Sequence, residues 1–393
     1  METKTAPPSV ATELDHSLVR GGPFYRAQQA AGLMRPNEWN HARRVPLALA
    51  VGWLPVILIT AATNPSALAS VIGDYRIHSR MLIAVPVLLF GQLLMESRFR
   101  MVVRHVVEAD LLDTLGRARM NDMIAMLRRL RDSVVPETAI LLLLIARTLT
   151  SFKGQVDVIP WLSYRVGPDI HLTPAGWYAV VVSTTLFQFL LGLGLWQWLL
   201  WFIFAFKLSR LDLKLVPTHP DGSGGLAFLG LTTVAFAPIS FAAAAVIGST
   251  WRHEILRHGA NPMSFKLDAI VLLVIIAIVA LGPLVFFVPR LAALRRQGIL
   301  EYGTLGQLHS ADFHEKWIVH RSGHESDFLT APESSTLADY GSSYEKVQKL
   351  QPFPADKGAF IVLAISVVVP MLPVILAVVP LAVVLKSLLE ALR

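Results

Sequence analysis

The sequence predicts an all-α fold: a polytopic α-helical membrane protein with about seven transmembrane helices and helical extensions into the cytoplasm. Composition is the first observation behind this prediction. Of the 393 residues, 54% are hydrophobic and only 16% are charged, and the mean hydropathy of the whole chain is +0.53. A soluble domain carries about 25% charged residues. The apolar excess therefore extends over the whole chain, and we exclude a soluble globular protein.

Apolar stretches of membrane-spanning length are the second observation. A helix that crosses a bilayer needs about 20 mostly apolar residues. The stretches of this kind are Val45–Thr63, Arg80–Glu96, Val134–Phe152, Trp177–Phe206, Leu226–Ser249, Ala269–Val288 and Ala359–Leu385. Gly282 and Pro283 predict a kink in the sixth stretch, and the prolines of the seventh predict a broken or strongly kinked helix. Trp198 and Trp201 in the fourth are expected at the membrane–water interface.

The distribution of basic residues is the third observation, and it orients the spans. With a cytoplasmic N-terminus, 25 of the 35 lysine and arginine residues fall in cytoplasmic segments and seven fall in the loops on the other side. Lysine and arginine are enriched in the cytoplasmic loops of membrane proteins. Omitting the third stretch, which contains Arg147, would place the basic segment after Arg290 outside and remove this contrast. We therefore predict seven spans with a cytoplasmic N-terminus.

The spans and the segments between them divide the chain into six parts. Apolar residues recur at helical spacing in residues 97–133, opposite a charged face, which predicts two amphipathic helices with a break near Gly116. The parts are 1–44 (cytoplasmic), 45–96 (spans one and two), 97–133 (cytoplasmic helices), 134–289 (spans three to six), 290–357 (cytoplasmic unit) and 358–393 (kinked span seven and an interfacial tail helix).

The strongest candidate for a binding site is the loop before span five, Pro-Thr-His-Pro-Asp-Gly-Ser-Gly-Gly. Its glycines leave backbone N–H groups exposed at the positive end of a helix, an arrangement that suits a phosphate, a carboxylate or a lipid headgroup. The alternative is a tight turn with a helix cap. Arg147 is a further candidate, either as a snorkelling side chain or as a buried cation that attracts an anion. The candidate anion-binding residues are His219, Asp221, Ser223, Gly224, Gly225 and Arg147.

Small and polar residues at four-residue spacing mark faces on two of the spans. Such spacing is typical of helices that pack closely in a membrane. The residues are Thr184, Gln188 and Gly192 in span four and Ser240, Ala244 and Gly248 in span five. We expect these faces to form close helix–helix contacts, including contacts between copies of the chain.

The sequence predicts no enzyme, no cofactor and no metal site. The chain has no cysteine, which excludes disulfides, thiolate ligands and a cysteine nucleophile. His309, His314, His320 and His324 lie close together among acidic residues, but their spacing matches no known metal motif. No serine-hydrolase, zinc-protease or paired-aspartate motif is visible, so hydrolysis has no candidate nucleophile or base.

Three segments resemble a family of uncharacterised bacterial multi-pass inner-membrane proteins. They are residues 209–230 (SRLDLKLVPTHPDGSGGLAFLG), 301–317 (EYGTLGQLHSADFHEKW) and 335–354 (STLADYGSSYEKVQKLQPFP). The Thr-His-Pro-Asp-x-x-Gly-Gly-Leu loop is the most specific of them, although a basic or bulkier residue often stands in the family where this chain has Gly222. The resemblance implies the cell inner membrane and a similar order of spans, and it implies no activity.

Two classes of function remain open from the sequence. The first is a homo-oligomeric channel or a transporter of small solutes or anions. The spans hold no acidic residue near the middle of the bilayer, which disfavours a cation-coupled transporter. The second is a sensor, assembly factor or scaffold that acts through the cytoplasmic helices. The expected partners are the lipid bilayer and further copies of the chain, and the net charge of +7 indicates contact with anionic lipid, not nucleic acid.

Overall fold

The computed structural model of the chain describes residues 17–34, 39–151, 157–319 and 332–378. Among these residues, six helices are long and apolar enough to cross a bilayer, and a bent helix pair raises the number to seven. We number the spans in chain order. They are His41–Thr63, Tyr75–Glu108, Val134–Ser151, Pro174–Leu208, Ala227–His258, Pro262–Val285 and Lys357–Val378. The prediction of an all-α polytopic membrane fold is confirmed.

The bent pair is one broken span or a re-entrant loop, and we use the name span 3 for its second half. It follows helix Thr114–Asp132 after a single residue, Ser133, and the two helices meet at an angle of 40°. Span 3 has 18 residues. At a rise of 1.5 Å per residue this gives about 27 Å, close to the thickness of the hydrocarbon core. The helix predicted around Arg147 is therefore present, and it has the length of a short span.

Several spans change their helix type along their length. Span 1 divides at Trp53, next to Pro55, into helices His41–Gly52 and Leu54–Thr63. Span 2 consists of helix Tyr75–His78, the π-helical turn Ser79–Ala84 and helix Val85–Glu108. Span 4 consists of helix Pro174–Tyr178, the π-helical turn Ala179–Thr184 and helix Thr185–Leu208. Spans 5 and 6 begin with the 3₁₀ turns Ala227–Thr232 and Pro262–Phe265 and continue as the α-helices Thr233–His258 and Lys266–Val285. π-Helical turns occur frequently at functional sites. The parts of spans 2 and 4 that contain these turns are therefore candidates for a functional site.

The two ends of the bundle carry different structures. We call the end with the long connecting helices the large end; its helices are Pro23–Ala30, Thr114–Asp132, Val288–Phe313 with the π-helical turn His314–Val319, and Pro332–Lys349. The other end, the hairpin end, carries the 3₁₀ turn Pro65–Ala67, helix Leu68–Ile72 and two antiparallel strands, β1 (Ser163–Val166) and β2 (Asp169–Leu172). Gly167 makes the hairpin turn with a φ of 61°, which a glycine adopts without strain.

Span 5 lies between spans 2 and 7 and packs closely against both. A Cβ atom on Gly91 of span 2 would lie only 2.6 Å from the Cβ of Pro238. On the other side, the hydroxyl groups of Ser240 and Ser366 are hydrogen-bonded at 2.9 Å. These distances require small side chains at the crossing points.

Trp198 and Trp201 of span 4 lie in the protein core, so the expectation that these two rings sit at the membrane–water interface is wrong. Trp198 and Trp201 are 2% and 0% exposed. Trp201 stacks on Phe99 of span 2 at 4.5 Å between ring centroids and lies 5.2 Å from Phe204. The Trp198 indole N–H donates to the carbonyl of Val279 in span 6 at 2.9 Å. The rings fill the space between three spans, which the sequence pattern of one helix does not reveal.

The break predicted near Gly116 lies earlier in the chain. Span 2 ends at Glu108 and the next helix begins at Thr114. The Asp113 carboxylate accepts the backbone N–H of Gly116 at 2.6 Å and caps this helix. Gly116 therefore belongs to the first helical turn.

The prolines of the last two spans have different effects. Span 6 ends at Val285, soon after Pro283, and the next helix begins at Val288. Span 7 continues as one helix through Pro370 and Pro373 to Val378. The third proline and the predicted tail helix fall in residues 379–393, outside the described part of the chain.

Candidate functional site

The glycine-rich loop before span 5 is built around one carboxylate. Asp221 accepts hydrogen bonds from the backbone N–H groups of Ser223 (2.9 Å), Gly225 (3.1 Å) and Ala227 (3.0 Å). The Nδ1 atom of His219 lies 2.8 Å from the same carboxylate. Burial raises the pKa of Asp221, but the donated hydrogen bonds outweigh it and hold the pKa below its ordinary value. Three amides of the predicted anion cradle thus bond to the chain itself, which favours a turn and cap here.

The same loop joins segments of the large end. The carbonyl oxygen of Gly222 accepts the backbone N–H of Gln351 at 2.8 Å. Gly224 has a φ of +63°, and a Cβ atom there would lie 2.8 Å from the Leu294 side chain. Glycine is therefore needed both for the backbone conformation and for the contact with helix Val288–Phe313.

Arg147 does not lie near this loop. Its side chain is exposed on the hairpin half of span 3. Its positive charge repels the positive charge of Arg80 in span 2. The structure therefore separates the predicted anion-binding residues into two groups, one at each end of the bundle.

The residues of the predicted packing faces make contacts within the single chain. Gly192 faces Ile140 of span 3, Ser240 bonds to Ser366, and Gly248 faces Met371 of span 7. Thr184 accepts a hydrogen bond from Arg80, Ala244 is fully buried and Gln188 is half-buried. These are contacts between spans of one copy, and the expected contacts between copies stay a prediction.

A polar cavity of about 320 Å³ lies at the hairpin end, between the starts of spans 2 and 4. Asp74, Arg76, Arg80, Trp161 and Thr184 contribute to its lining. Arg80 belongs to the π-helical turn of span 2, and its guanidinium donates to the hydroxyl of Thr184, in the π-helical turn of span 4, at 2.7 Å. The Nε atom of Arg80 is enclosed and has no hydrogen-bond partner among the described residues.

The other charged groups around the cavity are one guanidinium and two carboxylates, which bond to one another. Arg76 donates to both oxygens of Asp74 at 3.2 Å and to Asp157 at 3.0 Å. The indole N–H of Trp161 also donates to Asp74 at 3.2 Å. Burial raises the pKa of Asp74, but Arg76 and Trp161 outweigh it and the pKa lies below its ordinary value. Both carboxylates are therefore hydrogen-bonded partners of Arg76.

Two histidines extend this network. His253 Nε2 lies 3.1 Å from one oxygen of Asp157, and His258 Nε2 lies 3.6 Å from the other. The three ligand-type atoms lie within 4.8 Å of one another. Imidazole nitrogens and a carboxylate oxygen are donors that divalent transition metals accept.

The predicted histidine cluster of the large end is only partly described. His309 and His314 are exposed on or next to helix Val288–Phe313. His320 and His324 lie outside the described residues. The ring of His309 lies 5.9 Å from that of Tyr340.

The chain before span 1 folds under the large end of the bundle. The backbone N–H of Phe24 donates to Glu137 of span 3 at 2.7 Å, and the Phe24 ring contacts Phe189 of span 4 at 5.0 Å. Gln28 accepts a hydrogen bond at 2.8 Å from Arg44 of span 1. This segment, residues 17–30, therefore lies across the end of several spans.

Glu96 of span 2 fixes the beginning of that segment. Its buried carboxylate accepts hydrogen bonds from the hydroxyl of Ser17 and from Arg100. Arg20 lies 3.8 Å away. The guanidinium of Arg131 donates to the carbonyl of Ser17. A buried carboxylate with several charged donors is costly to expose, so the contact stabilises the closed large end.

Sequence reasoning did not find the cavity at the hairpin end. Asp74, Asp157 and His253 are far apart in the chain, so no spacing motif joins them. The only available signal is that they all fall near predicted loops on one side of the membrane. Arg80 was assigned to the edge of a predicted span, where a basic residue is common and attracts no notice.

The structure defines a polytopic α-helical membrane protein with a cavity at one end, to whose lining Asp74, Arg76 and Arg80 contribute. Comparison with known proteins adds no relative: no family model, no curated protein and no solved structure matches the chain.

Proposed function

We propose that this protein is a channel or transporter for a small anion, which enters the cavity at the hairpin end and binds Arg80. The observation that carries the proposal is that Arg80 lines a cavity of about 320 Å³ together with Arg76. Its guanidinium bonds to the hydroxyl of Thr184 and makes no ion pair with a carboxylate among the described residues.

The charge balance supports an anion as the occupant. Arg80 is half-buried, and its guanidinium is not paired with a carboxylate of the described residues. Asp74 and Asp157 bond to Arg76, not to Arg80. A guanidinium binds a phosphate, carboxylate or halide with strong charge-assisted hydrogen bonds.

The position of the cavity supports movement of the anion. Arg80 and Thr184 belong to the π-helical turns of spans 2 and 4, where the helix geometry differs from that of its neighbours. Residues 17–30 bond to Glu96 and Arg44 at the large end. In this proposal the anion passes when these contacts open, as in a gated pathway.

Flux measurements on the full-length protein in liposomes test the proposal. We expect efflux of chloride or phosphate from protein-containing vesicles, and a reduction of about 10-fold or more in Arg80→Gln, since a charge-assisted hydrogen bond contributes about 1.5–3 kcal/mol. Arg165→Gln is the matched control, because Arg165 is exposed on β1 at the same end. Equal efflux in Arg80→Gln and the unchanged protein contradicts the proposal.

A second candidate is a scaffold or sensor that binds a partner through the large end. The observation that favours it is the exposed apolar surface of helix Val288–Phe313, where Leu300 and Leu308 are 71% and 60% exposed. Such surface commonly marks a binding site for protein or membrane. Absence of anion flux, together with loss of a copurifying protein in Leu300→Asp, would favour this candidate.

A further inference from the structure

Asp157, His253 and His258 form a cluster with the features of a metal site. The two histidines lie in the last turns of the helix Thr233–His258, and Asp157 comes from the chain just before β1. The helix ends at His258, where Gly259 has a φ of 65°. The C-terminal end of a helix carries partial negative charge and favours a cation.

The distances fit the coordination shell of zinc. Zinc binds histidine nitrogen at about 2.0–2.1 Å and carboxylate oxygen at about 2.0–2.2 Å in a tetrahedron, which places neighbouring ligand atoms about 3.3–3.5 Å apart. The observed separations are 3.1 Å from His253 to one oxygen of Asp157 and 3.6 Å from His258 to the other, and the three ligand-type atoms lie within 4.8 Å of one another. The side chains must therefore draw together by about 1 Å around the ion, with one position left open for water.

The surroundings orient the carboxylate and leave room for positive charge. Arg76 holds Asp157 at 3.0 Å and Asp74 at 3.2 Å. Two carboxylates and one guanidinium leave one net negative charge beside the two imidazoles, and this charge attracts a divalent cation. Metal ligands commonly have such hydrogen-bonded partners behind them. Arg76 shares an oxygen of Asp157 with His253, so it is also the group that competes with the ion.

The site is reachable from solvent. The side chain of His253 is 9% exposed, that of Asp157 27% and that of His258 49%. An ion can therefore enter past His258, while His253 holds it against the bundle.

We propose that Asp157, His253 and His258 bind one divalent transition-metal ion of the zinc class, which fastens the β-hairpin segment to the end of span 5. The proposal stands apart from anion transport, because none of the three residues contacts Arg80 in the described structure. The site would make the hairpin end more rigid next to the cavity.

Metal binding to the full-length protein in detergent tests this inference. The protein is purified without a histidine tag, stripped with a chelator and titrated with Zn²⁺ by calorimetry, with metal content measured after dialysis. We expect one Zn²⁺ per chain and a rise in unfolding temperature. Co²⁺ should give the visible absorption of a tetrahedral nitrogen–oxygen site.

Substitutions at the ligands identify the site. Asp157→Asn, His253→Gln and His258→Gln should each weaken Zn²⁺ binding by about 100-fold and abolish the thermal shift, because replacing a ligand costs at least as much as the 10- to 100-fold seen for outer-shell partners. His258→Gln is the safest variant for folding, since the side chain is half exposed. His171→Gln, exposed on β2, and His309→Gln, at the large end, are controls. Unchanged Zn²⁺ affinity in His258→Gln, or no Zn²⁺ binding by the unchanged protein, overturns the proposal.

Discussion

At the scale of single residues, Asp221 uses its two carboxylate oxygens for different neighbours. One oxygen accepts the N–H groups of Ser223 and Gly225, and the other accepts that of Ala227. Asparagine offers one acceptor oxygen, so in Asp221→Asn the side-chain amide would face the N–H of Ala227, donor against donor. The general rule that Asp and Asn cap helices equally well therefore fails at this position.

We expect Asp221→Asn to lower the free energy of unfolding by about 1–3 kcal/mol, the cost of an unsatisfied buried group. Asp221→Ala should cost more, because it removes all three bonds. Thermal unfolding in detergent measures both, with Asp122→Asn as the control because Asp122 is exposed on helix Thr114–Asp132. If Asp221→Asn is as stable as the unchanged protein, a neutral cap suffices.

The pH dependence of this difference checks its electrostatic origin. The pKa of Asp221 is lower in the folded protein than its ordinary value of about 3.9. Its stabilising contribution is therefore fully present above that ordinary value and is lost as pH falls through the folded pKa. The stability gap between the unchanged protein and Asp221→Asn should be constant near neutral pH and shrink below about pH 4.

At the scale of elements, the crossing of spans 2 and 5 depends on Gly91. We expect Gly91→Ala to destabilise the protein by about 1–3 kcal/mol, because the added methyl group would lie 2.6 Å from Pro238 and push the helices apart. Gly341→Ala is the matched control: nothing lies within 4 Å of the added Cβ, so it should be neutral or slightly stabilising. Thermal unfolding compares the two, and an unaffected Gly91→Ala would show that the crossing is looser than described.

The spans could be predicted from sequence because the bilayer imposes their length and apolar character on a continuous stretch of chain. The first predicted span, Val45–Thr63, corresponds to the helix His41–Thr63. The β-hairpin was not predicted, since two strands of four residues carry too little pattern. Nor were the π-helical turns, because hydropathy is the same for a π and an α turn.

The candidate site could not be predicted for a different physical reason. Asp157 meets His253 only after the segment before β1 folds against the end of span 5, and hydropathy does not say which segments are neighbours. The amides of the 217–225 loop were assigned to a ligand because sequence cannot show that Asp221 turns back onto them. Long-range packing decides both features.

At the scale of the whole molecule, the basic connecting segments predict that the large end is cytoplasmic and the hairpin end faces outward. The absence of cysteine allows a direct test by labelling. Arg165→Cys on β1 should react in intact cells with an impermeant thiol reagent, whereas Glu301→Cys at the large end should react only after the membrane is opened. Both positions are exposed, so access alone decides the result. The opposite labelling pattern would falsify the orientation.

The central claim is that Arg80 binds an anion in the cavity at the hairpin end, and a structure determined with an anomalously scattering anion tests it most directly. Crystals soaked in bromide or selenate should show anomalous density in the cavity beside the guanidinium of Arg80, near the hydroxyl of Thr184. The density should be absent in Arg80→Gln. A carboxylate of this chain or of a second copy bonded to that guanidinium, with no anion in the cavity, would contradict anion binding at this site.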